Sequence, residues 1–155
     1  MKKQKVEYKS IVAFEPDEKN FKTLSRFYGK NNKITLLKKG VSKCNGTLFF
    51  KEGGNAACIV SGNDEGASYR IDVASIDETA ECADATWIKM DIEGAEMDAI
   101  HGAEKTIKNN HPKLTICIYH SDEDMLRIIE YIHNLVPEYK LYVRQHTKID
   151  IETVR

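Results

Sequence analysis

The chain has 155 residues, which suits a single domain with its own hydrophobic core. Its 41% hydrophobic and 30% charged content is that of an ordinary soluble globular protein, so neither a disordered chain nor a membrane-spanning bundle is expected. The 23 basic and 24 acidic residues are interspersed and give a formal net charge of -1, so nothing indicates a nucleic-acid-binding surface.

The lysine-rich start, residues 1–5, is not followed by the apolar segment of a signal peptide, and no apolar run is long enough to span a bilayer. We therefore expect a cytoplasmic protein. The four cysteines are widely spaced without a C-x-x-C pair, and the five histidines lack the spacing of metal ligands. We expect no metal site.

The first predicted element is a strand over residues 9–15, and its near-continuous apolarity is typical of a strand buried on both faces. A helix is predicted next, over residues 17–28, with apolar residues at helical spacing. Glu15 therefore ends a buried strand just before a helix. A carboxylate at that point either caps the helix or accepts hydrogen bonds from the ribose hydroxyls of a nucleotide.

A second short strand is predicted over residues 34–37, followed by a loop that contains Gly40 and Val41. Asn45-Gly46 is a strong signal for a β-hairpin.

Residues 52–66 are predicted to form a loop that carries an unusual apolar insert at residues 56–60. The insert is either a lid over a pocket or an irregular strand that covers a sheet edge. Residues 69–73 alternate between apolar and polar side chains, which predicts a half-exposed strand.

The central feature is a strand over residues 86–91 that runs directly into Asp91, Glu93 and Gly94 and then into one helix. In open α/β sheets, ligands bind beyond the carboxyl ends of the strands, so these carboxylates would face the substrate. The alternative is an acidic turn in which Glu93 and Glu96 only interact favourably with the helix dipole.

The last buried strand is predicted over residues 113–119 and ends at His120. Histidine is suited to proton transfer because it titrates near neutral pH, although His120 could equally be a helix-start residue with a local hydrogen bond. His146 is a weaker candidate. After a further helix, residues 139–144 alternate in polarity and residues 149–154 could pair back with them as an antiparallel strand.

This order of strands and helices predicts an α/β fold. Alternation of the two elements favours a mostly parallel sheet with helices on both faces, and the final pair predicts antiparallel strands at the C-terminal end.

Four segments resemble the FkbM family of methyltransferases. They are A-F-E-P-D at residues 13–17, the segment 56–61, I-K-M-D-I-E-G-A-E at residues 88–96 and P-K-L-T-I-C-I-Y-H at residues 112–120. The resemblance extends over nearly the whole chain. It implies a Rossmann-like class I methyltransferase domain that transfers a methyl group from S-adenosylmethionine, usually to a hydroxyl on a sugar or a secondary metabolite.

The resemblance also implies roles for residues on the cofactor side. Glu15 would accept hydrogen bonds from the ribose, and Gly40 and Val41 would lie near the adenine. Asp91 would face the sulfonium and the amino-acid end of S-adenosylmethionine.

On the acceptor side, Asp91, Glu93 and His120 are the catalytic candidates. Glu93 or His120 would orient or deprotonate the acceptor hydroxyl of a small molecule or glycan, and Asn55 is a further candidate for substrate contact.

The family pattern opens with a strand and a glycine-rich loop, D-x-G-A-x-x-G-x-x-T, and nothing of that kind precedes Ile11. Close approach of backbone to a ligand needs glycine. We therefore expect a single, partial methyltransferase domain that lacks its first βα unit. The alternative is a non-catalytic α/β module that binds a ligand or partner. The exposed gap between strands that the missing unit leaves would also favour a homo-oligomer.

Overall fold

The computed structural model of the protein describes residues 7–51, 58–60, 69–120 and 122–144. These residues form a mixed α/β fold, which confirms the α/β part of the predicted fold class. The chain divides into two compact units. The first comprises Met1–Gly40 and Gly46–Val73, and the second comprises Val41–Asn45 and Ala74–Arg155. The single domain stays a prediction, and the units are described one at a time.

The first unit begins with a strand, a helix and a second strand: β1 (Ile11–Phe14), α1 (Glu18–Tyr28) and β2 (Ile34–Leu37). The two strands pair in parallel, with Ile11 opposite Ile34. The helix begins where it does because the Asp17 side chain accepts a hydrogen bond from the backbone N–H of Asn20 at 2.8 Å, which satisfies one of the donors left free at a helix start.

The expectation that β1 is buried on both faces is wrong. Ile11 is 41% exposed and the other residues of β1 are only half-buried. No residue of α1 is fully buried either. The physical reason is that β1 pairs with β2 alone within the described ranges, and a two-stranded sheet has too little area to enclose its own strands.

A second sheet contains four short strands: β3 (Gly40–Val41), β4 (Gly46–Lys51), β5 (Cys58–Val60) and β6 (Tyr69–Ala74). Their order across the sheet is β3-β6-β4-β5, and β4 is antiparallel to both of its neighbours. In β6, Arg70 and Asp72 are exposed whereas Val73 is buried, which confirms the half-exposed strand.

Two expectations about this sheet change. The Asn45-Gly46 hairpin is wrong, because β3 and β4 lie on opposite sides of β6 and do not pair with each other. The Asn45 side chain instead accepts a hydrogen bond from the backbone N–H of Ser75 at 3.0 Å. Of the two interpretations of the apolar insert, the sheet-edge strand fits its described part, since β5 is the last strand of the sheet.

The second unit contains the strand–helix–strand segment that carries the acidic motif. It runs through a 3-10 turn (Ala80–Cys82), β7 (Trp87–Met90), α2 (Glu96–His101), α3 (Glu104–Asn110), β8 (Lys113–Ile116) and α4 (Asp122–Leu135). β7 and β8 pair in parallel, from Trp87 opposite Lys113 to Met90 opposite Ile116. The single helix predicted after the central strand is two short helices, which are separated at Gly102 and Ala103.

The buried core of the described residues lies almost entirely in this second unit. Its apolar members are Ala74, Ile76, Cys82, Ile88, Met90, Ala99, Ile100, Ala103, Ile107, Cys117, Ile118, Ile128, Ile132 and Val136. The helices α2, α3 and α4 supply five of them, Ala99, Ile100, Ile107, Ile128 and Ile132, because these helices turn their apolar residues toward the core.

One face of β7 is open. Ile88 and Met90 are buried, but Trp87 is 61% exposed and Lys89 is also exposed. Helices therefore do not cover both faces of this strand within the described ranges. The parallel pairs β1–β2 and β7–β8 belong to separate small sheets, and their union in one Rossmann-like sheet stays a prediction.

Two antiparallel strands are expected at the C-terminal end, and the structure describes only the first of these segments. For that segment the prediction is wrong. Residues 139–144 form no strand, and Leu141, Tyr142 and Val143 are exposed. A segment of alternating polarity forms a strand only where a second strand supplies partners for its backbone hydrogen bonds. In the described part of the chain, no strand pairs with residues 139–144. His146 and residues 149–154 lie outside the described residues.

Candidate active site

The segment that follows β7 is a tight turn whose backbone is unusual. Glu93 has a φ of 58° and Gly94 a φ of 93°, so two successive residues have a positive φ. Glycine adopts this conformation without a steric penalty, whereas a residue with a Cβ, such as Glu93, does so at a cost of roughly 1–2 kcal/mol. Strain of this kind is maintained only where surrounding contacts fix the backbone, and it is often found at functional sites.

The contacts that fix this turn come from Glu96, the first residue of α2. Its Oε1 accepts a hydrogen bond from the backbone N–H of Ile92 and its Oε2 accepts one from Gly94, both at 2.9 Å. Glu96 is only 1% exposed. A buried carboxylate is costly unless it is hydrogen-bonded, and here two backbone donors compensate for its lost hydration.

Asp91 lies directly beyond β7 and is held by the side chain of Tyr119. The Tyr119 hydroxyl donates a hydrogen bond to Asp91 Oδ1 at 3.0 Å, and Lys89 Nζ lies 3.5 Å from Oδ2. Burial acts to raise the pKa of the Asp91 carboxyl, but hydrogen bonds from Tyr119 and Cys117 and the charge of Lys89 outweigh it and hold that pKa below its usual range. Asp91 is therefore ionised at neutral pH.

The same contacts raise the pKa values of the two groups that donate hydrogen bonds to Asp91, Tyr119 and Cys117. Burial, together with the hydrogen bond to Asp91, raises the pKa of Tyr119 to about 12. Burial and the nearby Asp91 carboxylate raise the pKa of the Cys117 thiol to about 11. Both groups remain protonated at neutral pH and can act as hydrogen-bond donors to Asp91.

His120 lies among three carboxylates. Its Nε2 is 3.5 Å from Glu96 Oε1 and 3.7 Å from Asp91 Oδ1, and its Nδ1 is 3.5 Å from Glu93 Oε2. The ring of Tyr119 packs beside the imidazole, with centroids 4.1 Å apart. Nε2 is buried and has no hydrogen-bond partner among the described residues, whereas the Glu93 side chain is 87% exposed.

The geometry thus brings together the three catalytic candidates Asp91, Glu93 and His120, whose roles stay predictions. The reason lies in the sheet: β7 and β8 are parallel neighbours, so the residues that follow them emerge at the same edge. This arrangement can hold a cation against Asp91 and can accept a proton at His120 or Glu93.

Among the residues that the resemblance assigns to the cofactor, Glu15 and Gly40 belong to the first unit and Val41 to the second. Gly40 and Val41 form β3 rather than the expected loop. Glu15 Oε1 accepts a hydrogen bond from the backbone N–H of Asp17 at 2.8 Å, so this carboxylate does support the start of α1. Asn55 lies outside the described residues.

Sequence reasoning missed two residues of this cluster. The sequence predicts for Glu96 only an interaction with the helix dipole, and it predicts Tyr119 only as part of a strand. The available signal for Glu96 was its spacing: an acid three positions after Glu93 and just inside a helix can reach back to free N–H groups of the preceding turn. Nothing local in the sequence indicates that Tyr119 reaches Asp91.

Two further properties concern the described ranges only. They contain no group of three or more His, Cys, Asp or Glu side chains arranged to hold a metal ion. None of their helices is both long and apolar enough to cross a membrane.

Two comparisons with known proteins agree with each other. The family model for the Methyltransferase FkbM domain matches residues 2–140. The structure is similar to the crystal structure of Methyltransferase FkbM from Methylobacillus flagellatus KT, with 32% sequence identity and a TM-score of 0.70 over 90% of this chain. The chain spans about a third of that protein, 34% of its length. No curated protein matches. The family match covers most of the sequence, and the chain therefore belongs to the FkbM methyltransferase domain family.

Proposed function

We propose that the chain is part of an S-adenosylmethionine-dependent methyltransferase that methylates a hydroxyl group on a sugar or a secondary metabolite. The observation that carries the proposal is the cluster of Asp91, Glu93 and His120 at the carboxyl ends of two parallel strands, in a chain of a methyltransferase family. A Rossmann-like arrangement of the strands is part of the same proposal, because ligands of such folds bind at that edge of the sheet.

The chemistry of two carboxylates fits the proposed cofactor. S-adenosylmethionine supplies a methyl group that is bonded to a positively charged sulfur. Asp91 is suited to interact with the positive charges of this molecule, since its lowered pKa keeps it ionised. Glu15 would use Oε2 to accept from a ribose hydroxyl while Oε1 holds the N–H of Asp17.

The remaining residues keep the roles that the family resemblance implies. Gly40 and Val41 would lie near the adenine, and Asn55 would contact the methyl acceptor. Glu93 and His120 would bind and deprotonate the acceptor hydroxyl. Methyl transfer is an in-line displacement, so most of the rate enhancement would come from positioning the acceptor oxygen and removing its proton.

Calorimetric titration of the 155-residue chain with S-adenosylhomocysteine tests the cofactor side. We expect a Kd in the micromolar range, which corresponds to about -8 kcal/mol. Asp91→Asn should weaken binding at least tenfold. Glu78→Gln is the matched control because Glu78 is exposed and this variant removes the same charge. No heat of binding for the wild type would contradict the proposal for this chain and favour the alternative, a non-catalytic module that binds another ligand or partner.

Methyl transfer itself is tested with methyl-labelled S-adenosylmethionine and a panel of acceptors. The panel contains sugars, glycosides and polyhydroxylated metabolites, and matched compounds in which the hydroxyl is replaced by hydrogen. We expect label only in compounds that retain the hydroxyl, and loss of transfer in His120→Gln. Transfer to amines or thiols alone would overturn the hydroxyl part of the proposal.

A further inference from the structure

The imidazole of His120 has different surroundings at its two nitrogens. Nε2 is buried and lies near Glu96 Oε1 at 3.5 Å and Asp91 Oδ1 at 3.7 Å. Nδ1 lies near a single carboxylate, Glu93 Oε2 at 3.5 Å, and that side chain is 87% exposed. The aromatic ring of Tyr119 also packs against the imidazole, with ring centroids 4.1 Å apart.

Carboxylate oxygens accept hydrogen bonds and cannot donate them when ionised. A lone pair on Nε2 would therefore face two negative oxygens, whereas an N–H at that position is attracted to both. The attraction at Nδ1 is weaker, because Glu93 is in water and Glu96 is not. A Coulomb interaction near a protein interior is about fourfold stronger than the same interaction in bulk water. The proton of the neutral ring is thus drawn to Nε2.

Glu96 is the group that cannot move away from this contact. Each of its oxygens is already fixed by a backbone N–H, from Ile92 to Oε1 and from Gly94 to Oε2. A carboxylate oxygen has two lone-pair positions, so Oε1 retains one that can face His120. Asp91 Oδ1, by contrast, already accepts from the Tyr119 hydroxyl and is partly exposed.

We propose that Glu96 is a positioning residue: its buried carboxylate holds the proton of His120 on Nε2 and so keeps Nδ1 as the nitrogen that accepts a proton beside Glu93. The predicted tautomer, a neutral His120 ring with its proton on Nε2, does not depend on the proposed function. Its consequence for catalysis does rest on the proposed methyltransferase function.

The consequence concerns the methyl acceptor. Nδ1 and Glu93 Oε2 are two hydrogen-bond acceptors 3.5 Å apart, and a hydroxyl group is a donor that fits beside both. In the reaction, the O–H bond breaks, its proton forms a bond to Nδ1, and its electron pair stays on the oxygen, which becomes the nucleophile. The positive charge that forms on the ring is stabilised by Glu96 and Asp91. The proton then leaves to solvent through exposed Glu93.

The tautomer can be measured directly by two-bond nitrogen–proton correlation NMR of the labelled chain at alkaline pH, where free histidine is neutral. The His120 signal is identified by its loss in His120→Gln, since the chain has five histidines. We expect the pattern of a ring protonated at Nε2. A His120 ring protonated at Nδ1 would overturn the proposal. This measurement is made on the wild-type chain and does not depend on the folding of a Glu96 variant.

The role of Glu96 is tested with Glu96→Gln, which keeps the size of the side chain but removes its charge. We expect a mixture of both tautomers of His120, while the exposed control Glu78→Gln keeps the wild-type spectrum. A folded Glu96→Gln protein with the wild-type pattern overturns the proposal. If this variant does not fold, Glu96→Asp retains the charge on a shorter side chain, and we expect the same mixed pattern because its oxygens retract from Nε2. The wild-type pattern in folded Glu96→Asp would likewise overturn the proposal.

An activity measurement distinguishes positioning from general damage. Groups that orient a metal-bound histidine commonly contribute about ten- to a hundredfold in affinity or activity, and we take the same range for Glu96. We expect Glu96→Gln to lower kcat by that factor while the affinity for S-adenosylhomocysteine changes less than threefold. An equal loss in both would indicate a structural role only. The expected tautomer without any methyl transfer would refute the proposed function alone, and methyl transfer with the other tautomer would refute this inference alone.

Discussion

Gly102 approaches the backbone of Ser42 so closely that a Cβ at position 102 would lie 2.1 Å from the Ser42 carbonyl oxygen. The reason for glycine here is this contact and not its dihedral angle, since its φ is -75°. The Gly102 carbonyl in turn accepts hydrogen bonds from the Ser75 hydroxyl and the Asp77 N–H, both at 2.8 Å. The break between α2 and α3 therefore joins two chain segments that are distant in sequence.

Gly102→Ala should destabilise the second unit, because backbone atoms cannot yield to the added methyl group as a flexible side chain can. We expect the free energy of unfolding to fall by about 2–3 kcal/mol, as measured by denaturant unfolding. Gly46→Ala is the control, since a Cβ there meets nothing within 4 Å. Equal stability of Gly102→Ala and wild type would show that the two segments are not in this close contact.

Asp77 should stabilise the start of α3 across a long sequence separation. Its Oδ1 accepts from the N–H and the hydroxyl of Thr106, and its Oδ2 accepts from the N–H of Lys105. These N–H groups lack partners within the helix, so Asp77 acts as a helix cap supplied by another segment. We expect Asp77→Ala to cost about 1–2 kcal/mol in thermal or denaturant unfolding and Asp77→Asn to cost less.

Substitution of the neighbouring exposed Glu78 by Ala is the control for this cap and should change stability by less than about 0.5 kcal/mol. If Asp77→Ala were as stable as Glu78→Ala, the three hydrogen bonds would contribute nothing to folding.

The elements that sequence reasoning predicts well are those that depend on local pattern. The strands around Ile88 and Leu114 and the helix that follows the second of them, α4, with Ile128 and Ile132 buried, follow from periodicity alone. The grouping of Asp91 with His120 also follows, because parallel neighbouring strands end at one edge. The comparisons confirm the family that the motifs indicate.

What could not be predicted depends on partners far away in the sequence. Asn45-Gly46 has the local chemistry of a hairpin, yet the Asn45 side chain binds the backbone of Ser75, thirty positions later. The helix after β7 breaks at Gly102 because of a contact with Ser42. The burial of Glu96 likewise depends on the tertiary position of α2, and no periodicity in the sequence encodes it.

The acid stability of the protein should depend on Asp91. A carboxyl whose pKa is lower in the folded state than in the unfolded chain stabilises the fold above the unfolded value, and this contribution is lost as pH falls through the folded value. For Asp91 the loss begins below the usual 3.8. We expect the denaturant midpoint of Asp91→Asn to fall less steeply than that of the wild type in this acid range.

Tyr119→Phe is the informative companion, because it removes the hydroxyl that lowers the pKa of Asp91 while the carboxylate itself remains. Its acid dependence should lie between those of the wild type and Asp91→Asn. An acid dependence of Asp91→Asn identical to that of the wild type would contradict the geometry around Asp91.

Thiol labelling should distinguish the cysteines and report on the strand that leads into the cluster. Cys44 is exposed, whereas Cys82 and Cys117 are buried. Burial is the main cause that raises the pKa of each of these two thiols from 9.0 to about 11, and the Asp91 carboxylate adds to it at Cys117. Since the thiolate is the reactive form, this change alone lowers its population at pH 8 about a hundredfold.

In a Cys58→Ser background, we therefore expect one rapidly labelled thiol in the native protein, mapped by mass spectrometry to Cys44. The other two should react only at the rate of unfolding and become equally reactive in denaturant. Asp91→Asn removes the negative charge and the carboxylate that accepts a hydrogen bond from the Cys117 thiol, both of which raise the pKa of this thiol. The variant should therefore increase the labelling rate of Cys117 more than that of Cys82. Rapid native labelling of Cys117 would mean that this side chain, which follows β8 directly, is not buried, and the placement of Tyr119 and His120 just after it would then lose its support.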